Sequence, residues 1–431
     1  MKRVGFYINN SQFPKVDCSH IEYGNPGIGG SEFLILLVAS LLSRRDNDIE
    51  VYLYCQINGI LPEGPRIILV QDGKEAILRA DRSEVDTFVI DQKNVNWKIF
   101  PFESINSYMQ LVLWCHNFIY YKKLEFLAAK TKISKLVFVG REQLDLYRDC
   151  RGFNKCDYIY NCVPENSADI ELVSKITLQQ RKPYVVFVGS LSKDKSFDVL
   201  ASLWPRIKEK VPGAELFVIG SGKLYDKNAE MGMYRITDSE YEKKFMPYLT
   251  DNHGNVLPSV HFLGNLGVEK NKILMQAKVG CPNPLGRSET FCLSAVEMQM
   301  MGVTVIATEA PGYLDTFYNG SIAKTKKQLL DYIIKQLKSS KPIKEYNETL
   351  SYFRKTFGVE VIIQDWEKLI QSDYSRHLHP LYPMENISYR WKKHKDTLRI
   401  IKVKYPILQR FVPSLLKWDF LLQKLHILKS L

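Results

Sequence analysis

The sequence of 431 residues has no apolar run long enough to cross a lipid bilayer. Its longest strongly apolar stretch, residues 33–42, has about half of the roughly 20 residues that a transmembrane helix needs. The first ten residues also lack a long apolar region followed by a small-residue cleavage site, so we expect no secretory signal. These absences predict a cytoplasmic protein without a membrane-spanning segment.

Cysteine and histidine are scarce, with eight of each. The most closely spaced cysteines, Cys150, Cys156 and Cys162, are separated by five residues, and the sequence has neither a CxxC pair nor an HExxH motif. Such spacing does not fit a zinc ribbon or a zinc finger, and eight cysteines are too few for a disulfide scaffold. We therefore expect free thiols and no metal site.

Negative charge is deficient, and the imbalance is concentrated in one region. The 59 Lys and Arg exceed the 47 Asp and Glu by 12, which favours anionic partners. Residues 385–431 hold eleven basic and three acidic side chains, so +8 of the +12 lies in this tail. Its lysines are interleaved with apolar and aromatic residues, as in helices that bind an anionic membrane surface. The alternative is a terminal helical hairpin that packs its apolar face on the body of the protein.

Short apolar runs alternate with amphipathic stretches along most of the chain, which predicts parallel sheets covered by helices on both faces. In the first half the predicted strands are 4–8, 51–54, 67–70, 87–90, 111–115 and 136–139, with helices at 31–43 and 141–149. A polar stretch at 165–182 is typical of an interdomain linker. The pattern then restarts with strands 184–188, 215–219, 260–263, 279–281 and 304–307 and a helix at 196–211; residues 225–254 are charged and irregular.

Two α/β domains of the Rossmann-like type in tandem imply a cleft lined by loops from both. The most informative loop follows the predicted strand 279–281 and leads into a helix that we expect to start near Thr290 and to reach Met301. The backbone amides of Thr290, Phe291 and Cys292, with the positive end of the helix dipole, would form a phosphate site without any side-chain cation.

Two acidic residues flank this predicted phosphate site. Glu289 lies at its mouth, and Glu297 lies about two turns down the helix, roughly 9 Å from Phe291 at 1.5 Å per residue. A carboxylate accepts two charge-assisted O–H bonds, so it suits a pair of neighbouring hydroxyl groups. One acid could therefore bind a sugar and the other a ribose, although two solvated helix acids would give the same pattern.

The segment NPLGRSETFCLSAVEMQMMGVTVIAT, with its Glu-x7-Glu, resembles the donor-site signature of retaining GT-B glycosyltransferases of the family 4 type. The resemblance extends over about residues 3–370 and implies that Glu289 contacts the transferred sugar and Glu297 the nucleotide ribose. It also implies a nucleoside diphosphate sugar as substrate, retention of configuration, and neither cofactor nor metal. The one DxD motif, Asp46-Asn47-Asp48, lies in a charged turn after a predicted helix and outside the glycine loops, so we expect no metal-bound diphosphate.

Two further loops lie where this family would place them. Gly29 and Gly30 enter the first long helix, and in the family this glycine loop faces the donor diphosphate and the acceptor. Residues 188–197 resemble the Gly-Arg-x4-Lys-Gly stretch whose cations neutralise the departing diphosphate. Lys195 matches the lysine, whereas Ser190 replaces the arginine and Ser196 the glycine. The site therefore has one cation fewer than the family pattern, and Lys195 and the helix dipole have to carry more of the charge stabilisation.

His116 closes the predicted strand 111–115 at its carboxyl end, where open α/β sheets carry ligand sites. In the family a histidine here lies near the transferred sugar; a core or capping histidine is the competing interpretation. Leu263 ends the predicted strand 260–263, which would bring it toward the nucleotide base. The catalytic candidates are thus Glu289, Lys195 and His116.

The resemblance implies three parts: an acceptor-side domain at 1–165, a donor domain at 166–358 and a helix at 359–375 that crosses back to the first domain. The basic amphipathic tail at 376–431 lies outside the resemblance and is predicted from its composition. We expect a glycan or lipid-linked acceptor, as in envelope polysaccharide or lipopolysaccharide synthesis, at the cytoplasmic face of a membrane. The alternatives are a GT-B sugar-phosphate epimerase or phosphorylase, and a non-enzymatic binder of membrane surfaces or nucleic acid. No RNA-binding motif accompanies the basic tail, so we expect no nucleic-acid partner.

Overall fold

The computed structural model describes residues 1–45, 48–105, 108–222, 230–371 and 392–418. The DxD motif and the predicted tail therefore lie partly outside the described residues, as does the irregular stretch at 225–254. Contacts divide the chain into two compact units. Unit 1 comprises Met1–Pro14, Leu34–Asn161 and Ile362–Leu431, and unit 2 comprises Lys15–Phe33 and Cys162–Val361.

Each unit is built on one parallel sheet, as the alternating pattern predicted. Among the described residues, the sheet of unit 1 has seven strands in the order β3-β2-β1-β4-β5-β6-β7, and that of unit 2 has six in the order β10-β9-β8-β11-β12-β13. The strands are β1 Lys2–Ile8, β2 Ile49–Cys55, β3 Arg66–Leu69, β4 Thr87–Asp91, β5 Gln110–Cys115, β6 Ile133–Phe138, β7 Cys156–Tyr158, β8 Lys182–Val188, β9 Glu215–Ile219, β10 Val260–Gly264, β11 Ala277–Gly280, β12 Thr304–Thr308 and β13 Gly320–Ala323.

Helices connect most successive strands, because parallel neighbours need a crossover that returns the chain to the same edge of the sheet. Within the described ranges, no helix is both long and apolar enough to span a bilayer. The α-helices are α1 Gly30–Ser43, α2 Gly73–Arg82, α3 Tyr121–Ala128, α4 Arg141–Asp145, α5 Ser167–Ser174, α6 Phe197–Lys210, α7 Ser239–Phe245, α8 Asn271–Leu274, α9 Leu293–Met300, α10 Pro311–Thr316, α11 Lys326–Lys338, α12 Tyr346–Phe357, α13 Val359–Gln371, α14 Lys392–Lys404 and α15 Leu408–Phe411.

The central strands are apolar on both faces because helices cover both sides of each sheet. In β1, Val4, Phe6 and Ile8 are fully buried, and all five residues of β4 are buried. Helix α13 begins in unit 2 and continues into unit 1, where Trp366 makes an edge contact with Trp114 at 4.5 Å between ring centroids. The eight cysteines are buried free thiols.

Two polar stretches that the sequence analysis left without regular structure contain helices. The predicted linker at 165–182 includes α5, which is capped by Asn166 and buries only Ile170 and Val173. Two apolar positions are too few for a helical period to be visible in the sequence. In the stretch at 225–254, α7 buries Tyr241 and Phe245 in the core of unit 2. Both stretches therefore belong to the body of unit 2.

Several boundaries also differ from the predictions. The short strands β7 and β13 were not predicted, because three or four residues carry little periodicity. The predicted helix at 141–149 ends at Asp145. The largest difference concerns Lys15–Phe33, which the sequence analysis placed within 1–165 and which the contacts assign to unit 2.

Candidate active site

The loop between β11 and α9 is shaped by two non-glycine residues with left-handed backbones, Ser288 (φ 59°) and Cys292 (φ 68°). Cys292 is the residue that caps α9, so the helix starts at Leu293, three residues later than the Thr290 start predicted from the sequence. The backbone amides of a helix's first turn have no intrahelical acceptor. In α9 those amides belong to Leu293 and Ser294, and not to Thr290 and Phe291 as expected.

The side chain of Phe291 packs in the interior of unit 2. It is 1% exposed and meets Phe357 edge-on at 5.1 Å between ring centroids. Thr290 and Cys292 are also buried, at 7% and 8%. Burial, followed by the charge of Glu289, raises the pKa of Cys292 to about 12. The Cys292 side chain is therefore a neutral thiol at physiological pH.

Glu289 is buried at 4% exposure and forms an ion pair with Lys195. The two residues come from different loops, since Lys195 follows β8 and Glu289 follows β11, its neighbour in the sheet. A charged hydrogen bond between largely buried groups is stronger than one in solvent. Both residues were predicted from the sequence as site residues, but their pairing was not.

Asn283 joins the two loops and was not singled out from the sequence. Its side chain is fully buried, and its Nδ2 lies 3.0 Å from Glu289 Oε1, 3.1 Å from the Asp194 carbonyl and 2.8 Å from the Arg287 carbonyl. A side-chain amide has two N–H groups, so these three acceptors share them. Asn283 thus ties the loop of Lys195 to the carboxylate of Glu289.

The main chain of Asn283 is held as well. Tyr313 donates its hydroxyl to the Asn283 carbonyl at 2.8 Å. Burial raises the pKa of Tyr313 well above its ordinary value, so the hydroxyl keeps the proton that it donates. Asn283 follows the end of β11 by three positions, where an asparagine is typical of a turn, and no sequence signal distinguishes this one from other turn residues.

Glu297 lies on α9 and has an unpredicted partner of opposite charge. Lys270 Nζ is 3.4 Å from Glu297 Oε1, and Lys270 is only 5% exposed. The lysine ends a short 3-10 turn, Val268–Lys270, ahead of α8. The two predicted donor acids are therefore each placed against a lysine, within unit 2.

The loop after β8 departs from the family pattern at two serines, Ser190 and Ser196. For Ser196 the backbone conformation shows why glycine is the usual residue. Ser190 is buried, with its Oγ 3.2 Å from Ser192 Oγ. Ser196 has φ +51°, a left-handed conformation that glycine adopts more easily than serine. Its hydroxyl is fully buried and has no hydrogen-bond partner within the described part of the chain. The glycine usual at this position would fit the backbone better.

The glycine loop lies next to the first turn of α9, within unit 2. A Cβ added to Gly30 would lie 3.4 Å from Leu293 Cδ1, so the side chain of Leu293 packs beside Gly30. Gly29 is buried, and its carbonyl accepts from Phe33 N at 2.9 Å. Upstream, Asn25 Oδ1 accepts from the amide of Gly27, which has φ +96°.

The remaining two site candidates lie elsewhere. Leu263 lies in β10, the edge strand of the second sheet, and is 37% exposed. His116 belongs to unit 1, directly after β5, with its ring 4.5 Å from that of Trp114. Burial, and secondarily the charge of Lys93, holds the pKa of His116 well below its ordinary value. His116 is therefore a neutral imidazole at physiological pH.

The chain resembles proteins of known family and structure. Residues 169–355 match the family model of the group 1 glycosyl transferases. Anabaena Alr3699/HepE, solved with UDP and glucose, superposes with a TM-score of 0.59 at 14% identity, over 86% of this chain and 99% of that one. AviGT4, a glycosyltransferase involved in avilamycin A biosynthesis, gives 0.55 at 15% identity over 88% and 99%.

A third structure, the α,α-trehalose 6-phosphate synthase of Burkholderia multivorans, gives 0.57 at 10% identity over 86% and 96%. No curated protein matches the sequence. Identities this low establish the fold alone. The fold is that of GT-B glycosyltransferases, and residues 169–355 match the group 1 model, which confirms the resemblance to GT-B glycosyltransferases. Retention of configuration and the family 4 type stay predictions.

Proposed function

We propose that this protein transfers a glycosyl group from a nucleoside diphosphate sugar to an acceptor hydroxyl, with retention of configuration and without a metal ion. The observation that carries the proposal is the Glu289–Lys195 ion pair, tied together by Asn283 beside the first turn of α9. This arrangement offers a carboxylate, an ammonium group and backbone donors around one point. A sugar diphosphate needs these three kinds of group.

In this proposal the diphosphate binds between Lys195 and the amides of Leu293 and Ser294. The helix dipole adds favourable potential for an anion at that end of α9. Because Gly30 has no side chain, a ligand can approach the backbone of the glycine loop closely. Ser190 donates a hydrogen bond where the family has an arginine, so Lys195 carries most of the positive charge. Residues 290–292 line the donor through their main chain.

The two acids then have separate partners. Glu289 accepts hydroxyl groups of the transferred sugar, and Glu297 accepts those of the ribose. Lys270 is a positioning residue for Glu297, because it holds the carboxylate from the side at 3.4 Å. Leu263 contributes an apolar surface for the base.

The reaction proceeds on one face of the sugar. The bond between the anomeric carbon and the phosphate oxygen breaks while the bond to the acceptor oxygen forms on the same face. The acceptor proton passes to the departing phosphate oxygen, so no enzyme nucleophile is required. The protein contributes placement and charge stabilisation. His116, as a neutral imidazole, exchanges hydrogen bonds with a sugar hydroxyl.

The acceptor that we propose is a glycan or lipid-linked glycan of envelope polysaccharide synthesis, used at the cytoplasmic face of a membrane. Support comes from the +8 charge of residues 385–431. That charge favours an anionic surface, such as one rich in acidic lipids.

Thermal unfolding with a panel of UDP-, GDP-, ADP- and CDP-sugars tests the donor assignment. A ligand at 100 times its dissociation constant stabilises the fold by about 2.7 kcal/mol. UDP-glucose comes first, because a structure of Anabaena HepE contains it. We expect one nucleotide series to raise the melting temperature and Glu297→Gln to weaken that effect. If no member of the panel stabilises the protein, the proposal fails.

Product analysis separates the rival activities. A retaining transferase forms a new glycosidic bond with the donor's anomeric configuration, which NMR of the product reports. An epimerase would convert the sugar without an acceptor, and a phosphorylase would require inorganic phosphate. A binder without activity would give none of these products.

A further inference from the structure

The described part of the tail buries two polar side chains and exposes several large apolar ones. Lys402 in α14 and Ser414 after α15 are 5% and 3% exposed. Seven large apolar or aromatic residues of the same segment are 40–75% exposed; we call them the apolar stripe: Ile400, Ile401, Val403, Tyr405, Ile407, Phe411 and Trp418. The polarity is therefore opposite to that of a helical hairpin packed by its apolar face.

One buried carboxylate determines this orientation. Asp149 of unit 1 is 3% exposed and accepts from Ser414 Oγ at 3.0 Å and from the Leu415 amide at 2.6 Å. Lys402 Nζ donates to the Asp149 carbonyl at 2.9 Å and lies 3.7 Å from its carboxylate. Breaking a buried ion pair of this kind is strongly unfavourable. The tail is thus held by its polar side, which leaves the stripe outward.

The composition of the stripe indicates what covers it. Several large exposed apolar side chains within one short segment favour an interaction site, and Tyr and Trp rings prefer the boundary between lipid and water. Lys404 and Lys417, next to stripe residues, are exposed and would face lipid head groups. Residues 385–431 carry +8, which matches an anionic surface.

We propose that the apolar stripe docks into the interface of an anionic lipid bilayer, with Asp149 holding the tail in the orientation that presents it. The inference rests on the membrane location in the proposed function and names the surface that achieves it. Binding by a shallow apolar face with basic neighbours is reversible and depends on lipid charge.

Sedimentation of the full chain with vesicles tests the docking surface. One set contains phosphatidylcholine alone, and the other equal parts of phosphatidylcholine and phosphatidylglycerol. We expect binding to the second set, and a loss of roughly 10-fold or more in the double variant Ile407→Ser, Phe411→Ser, because both side chains would leave the lipid. The control is Ile99→Ser, Tyr108→Ser, which removes an isoleucine and an aromatic ring of 75% and 86% exposure from unit 1.

Three results would overturn the proposal. They are unchanged vesicle binding by the Ile407/Phe411 variant, equal binding to neutral vesicles, and a self-association that the variant abolishes while no vesicles bind. Thermal stabilisation by the nucleotide sugar, measured on the same variants, keeps the two proposals separate. A variant that loses vesicles but keeps the donor supports docking, and a wild-type protein that binds vesicles but no donor refutes only the enzymatic assignment.

Discussion

The two units repeat one strand order, yet their loops carry different chemistry. The first six strands across the sheet of unit 1, β3-β2-β1-β4-β5-β6, correspond in order and connectivity to the six strands of unit 2, β10-β9-β8-β11-β12-β13. The loop after β4 therefore corresponds to the loop after β11. Unit 1 has an ion pair in its loop too, with Lys93 Nζ 3.6 Å from Asp91 Oδ2.

The separation of the paired residues along the chain distinguishes the two loops. Asp91 and Lys93 are two positions apart, so their pair stabilises a single turn. Lys195 and Glu289 are 94 positions apart, so their pair joins two loops. The topology supplies the same strand ends in both units. Only the long-range pair concentrates opposite charges from two loops at one point, and we therefore expect unit 2 to carry the charge-dependent part of the chemistry.

The largest expected effect comes from neutralising Glu289. Glu289→Gln keeps the shape but removes the charge that pairs with Lys195 and would accept the sugar hydroxyls. We expect turnover to fall on the order of 100- to 1000-fold, as for other electrostatic groups in active sites. This loss of turnover is measured by steady-state kinetics, with the donor that the thermal panel identifies. Circular dichroism should show an unchanged fold.

The matched control is Glu171→Gln, which breaks the Glu171–Lys175 ion pair on the exposed surface of α5. Its rate should equal that of the wild type. Equal rates in both variants would mean that the charge of Glu289 has no part in the reaction.

A smaller loss of activity is expected from replacing Asn283, the residue that joins the two loops. Asn283→Ala removes the donor to Glu289 and to the Asp194 carbonyl, so the pair loses its orientation. We expect kcat to fall about 10- to 100-fold, as for other residues that orient catalytic groups. The KM for the donor should change less. Asn283→Asp should lower kcat further, since it places a second carboxylate beside Glu289.

Asn319→Ala provides the comparison, because Asn319 is an equally buried asparagine of unit 2 whose Oδ1 accepts from the Lys344 amide. It should destabilise the fold without a selective effect on kcat. If both asparagine variants lose activity in parallel with stability, Asn283 has only a structural role.

In unit 1, a pH-dependent effect on stability is expected from His116. Burial lowers its pKa in the folded state, so below pH of about 6.5 the unfolded state binds more protons than the folded one. Its contribution is fully present above that pH and is lost as the pH falls, by at most about 1.4 kcal/mol per pH unit. Urea unfolding of wild type and His116→Gln between pH 7.5 and 5.5 measures the difference.

The exposed His253, replaced by Gln, should leave the wild-type pH dependence intact. The same pH dependence in His116→Gln as in the wild type would show that another group is responsible.

The smallest effect is a gain in stability at Ser196. Ser196→Gly relieves a left-handed serine and removes a buried hydroxyl, against the greater freedom of glycine in the unfolded chain. We expect a net gain of about 0.5 to 1 kcal/mol, which raises the melting temperature by roughly 2 °C. Calorimetry measures it. The control is Ser192→Gly, which should give no gain in stability because Ser192 has an ordinary extended backbone at φ −129°. A lower melting temperature for Ser196→Gly would show that the left-handed backbone of Ser196 is not strained.

Much of the fold could be predicted, because buried parallel strands appear as short apolar runs. The strand β5 and the helix α6 were found to within a residue or two at each end. The missed helix α5 is stabilised by the Asn166 cap and by packing of two side chains, neither of which produces a period. The late start of α9 depends on the left-handed turn at Cys292, a conformation that cysteine rarely adopts.

The amino-acid sequence alone determined the alternation of strands and helices, the concentration of positive charge in the tail, and the identity of the two acids in and after the loop between β11 and α9. These are properties of residue type and spacing. The tertiary structure decided which groups meet: Lys195 with Glu289 through Asn283, Lys270 with Glu297, and Lys402 with Asp149. Each of these pairings joins residues far apart in the chain, and its energy depends on burial and distance, which no local pattern records.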